Sequence, residues 1–375
     1  MRSEPVAKAL SYGLLALLMA AYASYTFQLF GFIPQYVSDE VYYVSAAHNL
    51  LVAYGLAPNA TVPVPNYLNL EHPPLAKYLI ALSIWALGLR PYAWRLPGWA
   101  LGEAALLLAY LVGVRLTERW GLARYAGGLA AASALALDPN YWVQHGLALL
   151  DPYAGFFGLL ALYLALRAKG TGGLLLAALA VGLAAASKET AAPLAVALAV
   201  YAYLKTRRLL PAAAALLIPL ATYLALSAPL MALLGLDKWL AQGPLHMAGW
   251  DVESGHLPPY ALGQISTPWG WLLDINPFYM GLGLYASTSP PLLLAWLALS
   301  AYAFALRDRD LAAAASFPLS IYLALWLVYA LGNHTLLSFY VSSFSPMSDA
   351  FVGAALVDLT ARYLKAEGAR GAWRP

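Results

Sequence analysis

Residues 77–89, Lys77-Tyr78-Leu79-Ile80-Ala81-Leu82-Ser83-Ile84-Trp85-Ala86-Leu87-Gly88-Leu89, decide how the chain threads a membrane. The stretch is apolar, but thirteen residues of α-helix rise only about 20 Å, against about 30 Å of hydrocarbon. It reads as a helix lying at the interface, anchored by Tyr78 and Trp85, and not as a span. Residues 41–53 read the same way, with Val41, Val44, Ala47 and Leu51 on one side and Ser45, His48 and Asn49 on the other. Ten apolar segments then remain as predicted spans, roughly 9–31, 96–115, 121–137, 151–167, 171–187, 189–204, 209–235, 280–306, 311–331 and 338–361. Charge supports this threading. With the N-terminus inside, sixteen of the 21 Lys and Arg fall on inner segments, and only Lys77, Arg90, Arg95, Lys188 and Lys238 fall outside. Counting 77–89 as a span would move Lys205-Thr206-Arg207-Arg208 to the outer face, against the positive-inside rule.

Composition agrees. Hydrophobic residues make up 62% of the 375 residues and charged residues 10%, with a mean hydropathy of +0.66. The expected class is all-α: a polytopic membrane bundle of about ten spans, with interfacial helices in the first external loop and a single domain over 1–375. The first span is longer than a signal-peptide core and lacks a small-x-small cleavage site, so it is expected to be retained. Both termini are expected in the cytoplasm. External loops 32–95 and 236–279 then carry most of the acids, and all six histidines lie on the outer face. A net charge of +3 without a basic block gives no reason to expect a nucleic-acid partner. The absence of cysteine excludes disulfides, thiolate metal sites and cysteine nucleophiles.

The charged clusters of the outer face are the candidate chemistry. Ser38-Asp39-Glu40 precedes the first interfacial helix. It can be a capping sequence favoured by the helix dipole, or it can supply a general base or a ligand for a divalent cation. Glu71-His72-Pro73-Pro74 is a stiff turn. After it, Lys77 can snorkel or hold a phosphate as a point charge. Asp138-Pro139 and Asp151-Pro152 bracket a short loop containing His145, and each reads equally as a helix start. Ser187-Lys188-Glu189-Thr190 is either a solvated turn whose charges cancel or a site for an anionic headgroup. Glu103 lies inside the second span, where an acid is a functional candidate by default, although a partner such as Arg95 can make it structural. The 236–279 loop holds His246, Asp251, Glu253, His256 and Ser266-Thr267-Pro268-Trp269-Gly270-Trp271, where aromatic belts are the plain reading. No Walker A loop, GxSxG elbow or HExxH pair occurs, so nucleotide hydrolysis, serine hydrolysis and zinc proteolysis have no support.

Taken in order, these segments resemble a known family. Asp39-Glu40-Val41-Tyr42-Tyr43 followed by Glu71-His72-Pro73-Pro74-Leu75-Ala76-Lys77 looks like the first external loop of the dolichyl-phosphate-mannose–protein mannosyltransferase group. That group also takes in the aminoarabinose transferase, within the C-type integral-membrane glycosyltransferase superfamily. Trp94-Arg95-Leu96-Pro97-Gly98, Leu150-Asp151-Pro152, Ala186-Ser187-Lys188, the Ser266–Trp271 run and Ser338-Phe339-Tyr340 follow in the family's order. The resemblance implies a dolichyl- or polyprenyl-phosphate sugar donor, an external active site and transfer of a mannose-like hexose to an acceptor hydroxyl with inversion. It assigns Asp39, Asp151 and a supporting Glu40 to catalysis, and Lys77, Lys188 and His72 to the donor phosphate. Glu71, Trp269 and Tyr340 are assigned to substrate binding, and Asp39, His246 and His256 are candidate ligands for a divalent cation. Two departures bear on the acceptor, which can be protein, lipid or glycan. The 236–279 loop is too short for the extra β-rich domain of the eukaryotic enzymes, and Tyr42 stands where the aminoarabinose enzyme has a basic residue. The rival from another class is a transporter or flippase of a lipid-linked sugar; the chain lacks the internal repeat such proteins often show.

Overall fold

The computed structural model describes residues 3–253 and 262–371. Helices dominate it. In chain order they are α1 (Ser3–Phe30), α2 (Glu40–Ala53), α3 (Leu75–Leu87), α4 (Pro91–Leu116), α5 (Ala123–Ala136), α6 (Pro139–His145), α7 (Asp151–Arg167) and α8 (Thr171–Ser187). There follow α9 (Leu194–Thr206), α10 (Leu209–Leu234), α11 (Leu236–Gln242), α12 (Pro244–Val252), α13 (Pro290–Ala305), α14 (Arg309–Ala330) and α15 (Ser345–Gly371). Four helices, α4, α10, α14 and Glu4–Phe30 of α1, are long and apolar enough to cross a membrane. The other six expected spans coincide with α5, α7, α8, α9, α13 and α15. These are shorter or, in α15, charged along their length.

Several boundaries move. The segment expected to span from 280 begins instead as a hairpin of β1 (Phe278–Gly281) and β2 (Leu284–Ala286), with Phe278 opposite Ala286 and Tyr279 opposite Tyr285. Gly281, Leu282 and Gly283 all take positive φ, which turns the chain in place of continuing a helix. Ser338 pins the hairpin: its Oγ accepts from Phe278 N (2.9 Å) and donates to the Ala286 carbonyl (2.8 Å). Residues 189–193 and 338–343 likewise do not belong to the long helices; Glu189–Ala191 and Ser338–Ser343 are 3-10 turns.

Helices α2 and α3 form where the apolar periodicity put them; they pack on each other, and α3 packs on α4. α4, α5 and α15 approach very closely. A Cβ on Gly113 would sit 2.3 Å from Gly127 O, and one on Gly353 2.3 Å from the Ala130 carbonyl. Small residues at such contacts replace the hydrophobic drive that lipid does not supply. The main core lies among α4, α5, α7, α8, α9, α13, α14 and α15. A second apolar cluster joins α2, α3, the start of α4, α6 and the β-hairpin, and includes Tyr43, Leu149, Met280 and Phe339. The polar cluster described next lies against this second cluster. At the opposite end of α4, Arg119 bridges Asp308 and Asp358, and Arg115 reaches Asp310 (2.8 Å), which ties α4 to α14 and α15.

Candidate active site

Asp39 stands at the position before α2, yet its side chain makes no capping bond. The carboxylate is thus free for another use. Tyr43, one turn into α2, donates its hydroxyl to Asp39 Oδ2 (3.2 Å). Ser38 is held at φ +51°, a sparsely populated region for a non-glycine residue, and so fixes the direction of the chain into Asp39. Asp39 and Asp151 line one narrow crevice together with Tyr43, Gln144, Met280 and Phe339. Asp151 opens α7 ahead of Pro152 and is buried, and its Oδ1 has no hydrogen-bond partner. Burial raises the Asp39 pKa above its ordinary value, while Lys188, His72 and the Tyr43 hydroxyl act the other way.

Glu40 has the opposite fate. Arg95 Nε donates to Oε1 (2.8 Å) and Nη2 to Oε2 (2.6 Å); Val37 N (2.9 Å) and Ala148 N (2.8 Å) complete the shell. Arg95 also donates to the carbonyls of Phe30, Ile33 (2.9 Å) and Gln35 (2.9 Å). Both side chains are fully buried. Arg95 thus partners Glu40 and not Glu103, and Glu40 ties the loop before α2 to α4 and the 146–150 loop.

Of the two lysines expected to bind phosphate, the structure spends one elsewhere. Lys77 is buried, and its ammonium donates to the carbonyls of His72 (2.8 Å) and Asn69 and to Asn69 Oδ1 (3.2 Å). It clamps the 68–72 loop onto α3, and burial pushes its pKa down to about 7. Lys188 is only 2% exposed, so the solvated-turn reading of its segment fails. Its Nζ lies 3.1 Å from His72 Nε2, 3.6 Å from Glu189 Oε1 and over the Tyr340 ring at 5.9 Å. His72 Nδ1 meets Glu189 Oε2 at 3.2 Å. A tautomer protonated on Nδ1 donates to Glu189 and leaves Nε2 to accept from Lys188. Burial works against the Lys188 charge, but Glu189, Asp151, Tyr340 and Asp39 outweigh it and raise the pKa above that of an ordinary lysine.

The structure thus brings together Asp39, Asp151, His72, Lys188 and Tyr340, which come from five separate segments. Glu71 accepts from Tyr67 and from Asn69 Nδ2 (3.0 Å) within its own loop, and it also borders a cavity that Glu189 lines. Other candidates stand apart. Trp269 is 43% exposed and packs on Trp326 and Tyr329, as an aromatic belt residue would. His246 is exposed beside Trp250; His256 lies outside the described residues. Among the described residues no group of three His, Asp or Glu is placed to hold a metal ion. Asp39 and Asp151 alone make an incomplete donor set for a divalent cation. Sequence reasoning missed Tyr43 and Gln144 as lining groups and took Glu189 only as a neutralising neighbour. The i, i+4 spacing of Asp39 and Tyr43 was the readable cue.

Two largely apolar cavities meet at Glu189. One, of about 270 Å³, is walled by Pro193, Trp250, Leu325, Val328 and Tyr340. The other, of about 390 Å³, is walled by Pro73, Leu216, Pro219, Leu220 and Tyr223; Met247 borders both. Leu216 and Leu220, 46% and 54% exposed, place the mouth of the second on the outward side of α10.

ArnT from Cupriavidus metallidurans superposes with a TM-score of 0.58 over 92% of this chain and 60% of that one, at 19% identity. The chain shares the fold of ArnT. At such an identity the likeness establishes the fold alone. A second structure of ArnT holds undecaprenyl phosphate and superposes at a TM-score of 0.57. The likeness of fold extends to the archaeal oligosaccharyltransferase AglB from Archaeoglobus fulgidus, with a TM-score of 0.50 over 96% of this chain and 52% of that one, at 16% identity. In sequence, the chain is 31% identical over 121 residues to the polyprenol-phosphate-mannose–protein mannosyltransferase of Mycobacterium tuberculosis. That match covers 32% of this chain and 21% of the relative. No family model matches the chain.

Proposed function

We propose that the protein transfers a mannose-like hexose from a dolichyl- or polyprenyl-phosphate carrier to an acceptor hydroxyl on the extracytoplasmic face. The observation that carries this reading is the convergence of Asp39, Asp151, Lys188 and His72 beside two apolar cavities. In the proposed threading the ten helices matching the expected spans cross the membrane, α2 and α3 lie at its outer surface, and both termini are cytoplasmic. The acceptor oxygen attacks the anomeric carbon and Asp39 takes its proton. The bond from that carbon to the phosphate oxygen breaks with its electron pair on the phosphate, and configuration inverts. Asp151, with one carboxylate oxygen unpartnered, orients the acceptor or a sugar hydroxyl. Lys188, with His72, stabilises the charge gathering on the departing phosphate, where a preorganised cation in a poorly hydrated site is most effective. Lys77 holds the loop that presents His72, and Glu40 acts through Arg95 as a positioning residue. The carrier chain lies in the cavity under α10.

The test is incubation of purified protein with a panel of polyprenyl-phosphate hexoses, following release of free lipid phosphate. Release with transfer is the expected result. Movement of the intact lipid across a vesicle membrane without release would replace this reading with the transporter. Lys188→Ala should weaken binding of a short prenyl phosphate about 10- to 100-fold, the worth of one charge-assisted bond. Loss of acceptor binding instead would take Lys188 out of the phosphate role.

A pH profile gives a separate check. The base must be ionised, and burial holds the Asp39 pKa above its usual value. Acidification therefore protonates Asp39 earlier than an ordinary carboxylate, and kcat/KM should rise with pH along a limb centred above about 4. A limb at or below that value contradicts Asp39 as the base.

A further inference from the structure

We propose that Glu189 is a resident counter-charge that a lipid phosphate must displace from Lys188, and that it thereby favours the sugar-loaded diester over the spent monoester. This rests on the phosphate role of Lys188 given above. Glu189 and His72 occupy the near side of the Lys188 ammonium, at 3.6 Å and 3.1 Å. Glu189 also borders both apolar cavities, so a headgroup carried by a chain in either one arrives beside its carboxylate. Burial acts against the Glu189 charge, but Lys188 and His72 outweigh it and bring the pKa down to about 2, so the carboxylate stays ionised. A phosphate reaching Lys188 meets this fixed negative charge.

The reaction changes the size of that repulsion. The donor is a phosphodiester with one negative charge. When the bond from the anomeric carbon to oxygen breaks, the electron pair stays on the phosphate and the acceptor proton goes to Asp39. The carrier is then a monoester whose second pKa lies near 6, so it approaches two charges at neutral pH. Glu189 repels product about twice as strongly as donor. On departure of the spent carrier the carboxylate closes again on Lys188 and His72, which leaves no buried cation unpaired.

The experiment measures binding of farnesyl phosphate and of methyl farnesyl phosphate to the protein in detergent, for wild type and for Glu189→Gln, Glu189→Ala, Glu189→Asp and Lys188→Ala. Glu189→Gln should tighten the monoester about tenfold and the diester only about threefold, as expected for two charges against one at contact range in a partly wet site. Glu189→Asp, which keeps the charge, should stay within about twofold of wild type on the same argument. Glu189→Ala removes the charge by another route and must shift in the same direction, so whichever neutral variant folds decides the matter. Unchanged or weaker monoester binding in it, or equal tightening of both esters, overturns the proposal. The Lys188 arm separates the failures. If Lys188→Ala leaves both esters bound as before, the phosphate role itself is wrong; if it weakens them while the neutral Glu189 variants do not tighten them, only the counter-charge fails.

Discussion

Asp39→Asn should lower the transfer rate about a thousandfold and leave binding of a prenyl phosphate within a few-fold of wild type; the first figure is the middle of the range for loss of a general base. Asparagine keeps the shape and can still accept from the Tyr43 hydroxyl at the 3.2 Å contact, so the crevice should hold. It cannot take a proton from the acceptor. The split between rate and affinity is what marks the base, because a collapse of the site would reduce both. Transfer and binding are measured on the same preparation, and a near wild-type rate removes Asp39 from the chemistry. Its neighbour should behave differently: Glu40→Gln is expected to act first on folding.

Arg95→Met should destabilise the protein by about 3–5 kcal/mol, the usual cost of breaking a buried pair from one side. It leaves the Glu40 carboxylate buried without its cation, although Val37 N and Ala148 N still donate to it. The carbonyls of Phe30, Ile33 and Gln35 lose their donor as well. Glu40→Gln should cost less than Arg95→Met, since an amide can still accept from Arg95. Glu40→Leu combined with Arg95→Met should recover much of the loss, as apolar replacements of whole buried pairs often do. Denaturation of the four proteins in one detergent tests this order. Equal stability of wild type and Arg95→Met would mean that this ion pair is not what fixes the loop before Asp39.

Much of this arrangement was legible in the sequence, for reasons that differ from residue to residue. The helix positions followed from apolar run length and from the basic residues that cap one side. The charged clusters stood out because charges are scarce and lie at the ends of apolar runs, and the family resemblance, not their spacing, pointed to Asp39, Asp151 and Lys188 within them. What could not be read was pairing across the fold. Glu40 and Arg95 are 55 positions apart, and His72 and Glu189 are 117 apart. Adjacent acids in one dipeptide thus look alike until the fold sends one into a buried ion pair and the other into a crevice. Lys77 is a related case: a lysine after a polar turn looks available for an anion, and only the fold shows that backbone carbonyls already occupy it. The hairpin at 278–286 was hidden because Phe278-Tyr279-Met280 and Leu284-Tyr285-Ala286 are apolar enough to pass for the start of a span.

The cavity under α10 holds only about 390 Å³ and opens beside two half-exposed leucines. A carrier dozens of carbons long would place only its first isoprene units against protein and leave the remainder among the surrounding acyl chains. Recognition would then stop a short way past the phosphate, and carriers that differ only in their distal units would be interchangeable. Selectivity between lipids would be set by the saturation and geometry of the units nearest the headgroup.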